Sequence, residues 1–404
     1  MHTPARVSRR RVPRGPLLAL LIPLVLVAGI WLGGHPSALP GPVRDLFVDD
    51  SQGRLYDQAL DVISRDYYRP VNRDALLDTS IEAAVKSLDD RFSNYFDPKS
   101  YKSFQEATNG AFEGVGMNVE QADKGLRVLT VFDGSPAKKG GIEAGDLITK
   151  VNGRSLEGKS SNAATALIKG PAGSSVTLTV QSGKRSREVK LKRAKVTVPV
   201  VSSEMRVSDG RKIAHVTLAS FTDGAGEQVR DAVRRLLDQG AKGVVLDLRD
   251  NGGGLLNEAV STASVFVPKG TIVTTDGRAR PKHTFKATGS AIDRKIPVVV
   301  LVNRESASAS EIVTGALQDL HRAEVVGTRT FGKGVFQEIE PLPNGGALDI
   351  TVGEYFLPSG RNIGGGGVKQ GAGIKPDVDA QDDPKTKRDE ALDVAMQTVA
   401  RSPA

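Results

Sequence analysis

The sequence predicts a multidomain α+β chain: a layered α/β core preceded by a smaller β-rich unit and a short helical region. Three observations predict this. From about residue 210, short apolar runs alternate with stretches of helical spacing, as interleaved strands and helices do. Across 104–193, brief β-like runs are separated by Gly-rich turns. The N-terminus has a separate character: Arg6, Arg9, Arg10, Arg11 and Arg14 precede Leu17 to Gly34, an apolar run of 18 residues without Lys, Arg, Asp or Glu.

Such a run sits near the short limit for a spanning helix, roughly 17–25 residues. The arginines before it mark the end that stays in the cytoplasm. The reading is therefore a basic tail (1–16), a membrane anchor or signal (17–34) and a stiff linker (35–44), with the rest on the extracytoplasmic side, periplasmic or cell-envelope. A cleaved signal peptide is the alternative, but Ala38-Leu39-Pro40 is a poor cleavage site. Residues 45–103 form the helical region. Leu55, Ala59, Val62 and Ile63 keep helical spacing, as do Leu77, Ile81, Ala84, Val85 and Leu88 behind an Asn72 N-cap. This region is a candidate packing or homodimer contact.

In 104–193, strands are expected at Leu126–Phe132, Asp146–Val151, Val176–Gln181 and Arg187–Leu191, with a helix at Ser160–Lys169. The core, 194–380, should hold strands at Ile213–Leu218, Gly243–Leu248, Ile296–Val302, Glu324–Val326, Val335–Ile339 and Leu348–Tyr355. Helices are expected around Leu256–Val267 and Ser308–Leu320. The Gly364–Gly367 run reads as a flexible loop, and 381–404 as a C-terminal helix over Lys385–Val399.

Composition excludes some chemistry. Cysteine is absent from the 404 residues, which removes disulfides and thiol nucleophiles. No cluster has metal-ligand spacing, so no metal and no cofactor is expected. The formal charge of +8 sits largely in the N-terminal arginines and in Lys184–Lys195, where Val189 and Leu191 alternate with Lys190 and Lys192. That is a strand with one wet face; without interleaved aromatics it implies no nucleic-acid partner.

The chemistry concentrates at Ser306-Ala-Ser308-Ala-Ser310-Glu311. An apolar strand ends just before it. Hydrophobic positions resume at Ala309, Ile312, Val313, Ala316, Leu317 and Leu320, one face of a helix. A serine at such a turn is exposed beside free helix N–H groups. Serines also cap helices, so this alone does not make a nucleophile. Of the five histidines, His2 and His35 are N-terminal, and His321 closes the same helix about 19 Å away. His215 and His283 stay open as bases that folding could bring close. Lysine is the other base for such a serine, and Phe331-Gly332-Lys333-Gly334 supplies one between two glycines. The Gly327…Gly332-Lys333 spacing begins like a nucleotide-binding loop, but Gly334 stands where Ser or Thr would hold magnesium.

These motifs closely resemble the carboxyl-terminal processing peptidases, the tail-specific protease (S41) family of serine peptidases. The resemblance rests on SASASE at 306–311, FGKG at 331–334, Gln337, Leu88-Asp89-Asp90 with Ser93 and Tyr95, and Gly373-Ile374-Lys375-Pro376-Asp377. It implies Ser308 as nucleophile, Lys333 as base and Gln337 as its support. It also implies a crotonase- or Clp-protease-like core, and oxyanion donors at Gly253 and Ala309; Gly252 stands where the family usually has proline. Asp319 matches a family position, but about 16 Å along the helix from Ser308 it cannot touch that serine and reads as structural or organising. Residues 104–193 resemble PDZ domains: Phe112-Glu113-Gly114-Val115-Gly116-Met117, then Gly134-Ser-Pro-Ala, Gly140-Gly-Ile, Gly145-Asp-Leu-Ile and Val151-Asn-Gly. The implied partner is the C-terminus of a protein substrate, its carboxylate held by amides at Gly114, Val115, Gly116 and Met117. The implied activity is endoproteolysis near or from C-termini. Two other readings stand beside it: a non-catalytic PDZ scaffold, or a crotonase-like CoA enzyme.

Overall fold

The structure, a computed structural model, describes residues 51–402 apart from 370. The basic tail, the apolar segment Leu17–Gly34 and the linker lie outside them. Among the described residues no helix is long and apolar enough to cross a membrane.

Two compact units divide at Ile81. The first holds α1 (Ser51–Asp66) and most of α2 (Arg73–Lys86). Asn72 caps α2, its Oδ1 accepting from the Asp74 and Ala75 N–H groups. Arg73 forms ion pairs with Asp57 and Asp61 of α1.

The second unit opens with β1 (Asn94–Phe96), α3 (Pro98–Thr108) and β2 (Ala111–Gly114). Asp97 caps α3, and Pro98 sits at its first turn, where no N–H is needed. A β-rich module follows: β3 (Met117–Ala122), β4 (Gly125–Val131), α4 (Pro136–Lys139), β5 (Leu147–Val151), β6 (Arg154–Ser155), α5 (Ser161–Ile168), β7 (Ser175–Ser182) and β8 (Arg185–Lys192). Its strands run in the order β3-β4-β5-β7-β8, which leaves β3 at an edge. Leu126, Ile148, Leu178 and Val180 are among its fully buried residues. The next strand, β9 (Ala194–Thr197), pairs antiparallel with β2, so entry to and exit from the module are tied together.

The core comprises β10 (Val201–Ser208), β11 (Arg211–Leu218), α6 (Ala225–Asp238), β12 (Val244–Asp247), α7 (Leu256–Ser264), β13 (Thr271–Gly277), β14 (Arg280–Lys286), β15 (Val298–Val302), α8 (Ala309–Asp319), β16 (Glu324–Gly327), β17 (Val335–Pro341), β18 (Ala347–Phe356), β19 (Val378–Asp379) and α9 (Glu390–Arg401). One sheet runs β10-β11-β12-β15-β16-β19, parallel from β11 onward. Every residue of β12 and β15 is buried, because both faces of this sheet are covered. Alternation divides them. Val244, Leu246, Val298, Val300 and Val302 pack with α6, α7 and α8. Val245, Val299 and Leu301 pack with α9. A second, antiparallel sheet joins β1, β18, β13 and β14, with β17 also on β18.

Among the core elements that went unread are α6, β13 and β14. The α6 signal was present, with Val229, Ala232, Val233 and Leu236 buried on one face. The β13–β14 hairpin was hidden because β14 is a charged, largely exposed edge strand. The C-terminal helix starts at Glu390 rather than Lys385, since the Asp389 side chain accepts from Leu392 N–H and caps it there. The Gly364–Gly367 run is not a loose loop: Asn362 Oδ1 accepts from Gly364 and Gly366 N–H, and Gly334 N–H donates to the Gly367 carbonyl. A Cβ at Gly334 would lie 2.4 Å from Gly364 N, so two backbones meet here and both need glycine.

Candidate active site

Ser308 lies in the turn from β15 into α8, with φ 54° and ψ −113°. Few non-glycine residues hold that backbone, and it persists only where surroundings enforce it. They are visible here. Ser306 Oγ donates to the Leu248 carbonyl (2.7 Å) and Ser310 Oγ to the Asn251 carbonyl (2.7 Å). Both flanking serines are thus buried staples between the turn and the loop after β12. Ser308 Oγ, unlike theirs, donates to no main-chain carbonyl among the described residues; the Tyr355 phenol lies within hydrogen-bonding reach of it. Burial pushes that phenol above its ordinary range.

Glu311 joins the halves of the site. Its Oε2 accepts from the main-chain N–H of Ser308 (2.9 Å) and of Lys333 (2.9 Å). Its Oε1 accepts from Thr330 Oγ1 (2.6 Å) and Gly332 N–H (2.7 Å). One buried carboxylate thereby fixes the backbone of both residues. Burial pushes this carboxyl up from its usual value, and the four donors oppose that. Ser308-x-x-Glu311 is a capping-box pattern, so Glu311 was legible, yet the sequence reading gave it no role.

Lys333 Nζ donates to Gln337 Oε1 at 2.7 Å, and Gln337 Nε2 donates to Thr351 Oγ1 at 2.9 Å. The amine also lies 4.7 Å from the centre of the Phe92 ring. Burial pushes the amine below its ordinary range, with Arg91 assisting, while Asp349, Asp90 and Glu311 oppose the shift. The structure therefore brings Lys333 and Gln337 into direct contact. Ser308 and Lys333 meet through Glu311, and no side-chain hydrogen bond joins them among the described residues.

Gly253 lies against the Ser308 turn: a Cβ there would stand 2.9 Å from the Ala307 carbonyl oxygen and 3.0 Å from Ala309 N. Its N–H donates to Asn251 Oδ1 at 2.9 Å, so the donor expected of it is occupied. Ala309 N–H has no acceptor among the described residues. Asp319 accepts from Ser359 N–H (3.0 Å) and Arg361 (2.9 Å), holding the chain after β18 at the far end of α8. Neither open histidine reaches Ser308: His215 lies between Glu204 and Asp247, and His283 meets Phe285 edge to face.

In the β-rich module, Gly114, Val115, Gly116 and Met117 line a cavity of about 320 Å³ with Thr165 and Ile168 of α5. The Val115 and Gly116 N–H groups have no acceptor among the described residues. Gly116 has φ 82°, and a Cβ there would lie 2.3 Å from the Ser135 Cβ, so this loop demands glycine.

A serine in a strained strand-to-helix turn, a half-buried lysine pinned to the same carboxylate and an edge-strand groove define a serine-hydrolase core with a peptide-binding module. The comparisons agree. Residues 212–380 match Peptidase family S41, and 127–182 match the PDZ domain. A probable CtpA-like serine protease of Staphylococcus aureus (strain MRSA252) is 37% identical over 319 residues, 78% of this chain and 62% of that protein. One from Staphylococcus haemolyticus (strain JCSC1435) is 33% identical over 367 residues, 90% of this chain and 71% of that protein. Among solved structures, the photosystem II D1 C-terminal processing protease is 30% identical, with a TM-score of 0.48, covering 86% of this chain and 97% of that one. The chain belongs to the S41 family of CtpA-like serine proteases. It spans 62% of the length of the first of these relatives.

Proposed function

We propose that this chain is a serine endopeptidase that cleaves proteins near or from their C-termini, with Ser308 as nucleophile and Lys333 as general base. The observation that carries the proposal is the shared anchoring of the Ser308 and Lys333 backbones on Glu311. Neutral Lys333 moves from Gln337 to take the Ser308 proton as Oγ attacks the peptide carbonyl, and Gln337 orients the amine. The carbonyl electron pair moves to oxygen, which Ala309 N–H stabilises; Gly253 N–H joins once it leaves Asn251 Oδ1. Collapse expels the amine fragment, which takes its proton from Lys333, and water then hydrolyses the acyl-enzyme. The free amides of Val115 and Gly116 receive the substrate's terminal carboxylate, with Gly114 and Met117 flanking them, and its last residues extend the edge strand β3.

The test is cleavage of an unfolded protein with an apolar C-terminal tail by wild type and Lys333→Ala, with a charged-tail substrate as control. Cleavage that needs both Lys333 and the apolar tail is expected. Cleavage by Lys333→Ala at the wild-type rate would overturn the assignment of the base. Tail binding without cleavage by wild type would favour a scaffold.

Membrane attachment through Leu17–Gly34, with the core on the extracytoplasmic side, and a homodimer through 45–103 are further parts of this proposal. The second draws on the exposed Leu55, Val62 and Ile63 of α1. Sedimentation of the full chain should show a detergent-dependent species of two copies; a detergent-independent monomer would exclude both.

A further inference from the structure

Three carboxylates act electrostatically on the Lys333 amine from three elements: Asp349 from β18, Asp90 from the loop before β1, and Glu311 from α8. Arg91 opposes them. They differ in how far their charge is already neutralised. Four donors occupy Glu311. Asp90 accepts from Phe92 N–H (3.0 Å) and Ser93 Oγ (2.7 Å), and also hydrogen-bonds the Thr351 side chain. Asp349 has the Asn94 side chain, from its register partner on β1.

Position strengthens the contrast. Alternation along β18 puts Asp349 and Thr351 on one face, opposite Ile339 and Gln337 of β17, before the register shift that precedes Gly353. On that face Thr351 holds Gln337, which holds Lys333 Nζ. Asp349 therefore stands one alternation, about 7 Å of strand, beyond the threonine that holds Gln337. It is half-buried, where water screens a charge poorly.

We infer that Asp349 is a positioning residue whose charge holds a proton on Lys333, so that it sets the pH above which the peptidase works. The inference rests on the Ser308–Lys333 reading given above. Its sign is definite: the carboxylate favours the ammonium, and the base must be the neutral amine, so removing the charge extends activity to lower pH. The Asp349 carboxyl is itself pushed up by burial and drawn back by Lys333, so each charge supports the other.

The experiment is the pH profile of kcat/KM for wild type, Asp349→Asn and Asp349→Glu on one peptide, after Ser308→Ala and Lys333→Ala have been assayed. The acid limb of Asp349→Asn should move to lower pH and give roughly threefold higher kcat/KM at a fixed pH on that limb. Asp349→Glu should keep the wild-type limb. Asp349→Ser removes the same charge and serves if the Asn variant does not fold. A limb that stays in place, or moves to higher pH, when the charge is removed overturns the inference. Activity retained by Ser308→Ala or Lys333→Ala overturns the underlying reading instead.

Discussion

Ser308→Ala is expected to bind a C-terminal peptide as wild type does and to cut it at least about 10⁴-fold more slowly. Loss of the nucleophile in a serine peptidase removes nearly the whole chemical step and leaves what binding and the oxyanion donors supply. The flanking serines cannot substitute: Ser306 and Ser310 are fully buried, and their hydroxyls are committed to the Leu248 and Asn251 carbonyls. A second outcome separates chemistry from fold. At φ 54° the alanine variant keeps the strain of the turn, whereas Ser308→Gly relieves it. Ser308→Gly should thus be as inactive as the alanine variant yet more stable than it, by about 1 kcal/mol in denaturant unfolding. An alanine variant with substantial activity would remove Ser308 from the mechanism. A glycine variant less stable than alanine would show that the turn is not strained.

The parts of this architecture that were legible owe it to local periodicity. The four valines and one leucine of Val298–Val302 read as a strand covered on both sides, and the spacing after Ala309 as a helix. Ser308, Lys333 and Gln337 came from the resemblance; residue types alone had left His215 and His283 open as bases. What stayed hidden is set by long-range pairing. Nothing near Asp349 in the chain announces that β18 brings it within electrostatic reach of Lys333, since that follows from its register with β1 and β17. Likewise, a glycine run implies free amides, but the Asn251 side chain folds back onto the Gly253 N–H. Glu311 shows the intermediate case: its capping pattern is local, whereas its bonds to Gly332 and Lys333 depend on the loop before β17.

That dual attachment makes Glu311→Gln a severe change despite equal size. Both carboxylate oxygens are surrounded by donors: Ser308 and Lys333 N–H on one, Thr330 Oγ1 and Gly332 N–H on the other. A glutamine must turn its NH₂ toward one of these pairs, so either orientation sets donor against donor. Glu311 is fully buried, and water cannot enter to repair the mismatch. Each stranded donor costs about 1–3 kcal/mol, so the variant should lose at least about 2 kcal/mol in denaturant unfolding. Where it still folds, the two anchor points separate. A displacement of about 1 Å between reacting groups lowers a rate roughly 10²-fold, so kcat should fall by about that factor. The KM for tail peptides should change little, because the Val115–Gly116 loop proposed to take the tail makes no hydrogen bond to Glu311 among the described residues. Near-normal kcat in a stable Glu311→Gln protein would show that Ser308 and Lys333 are aligned by something other than their common carboxylate.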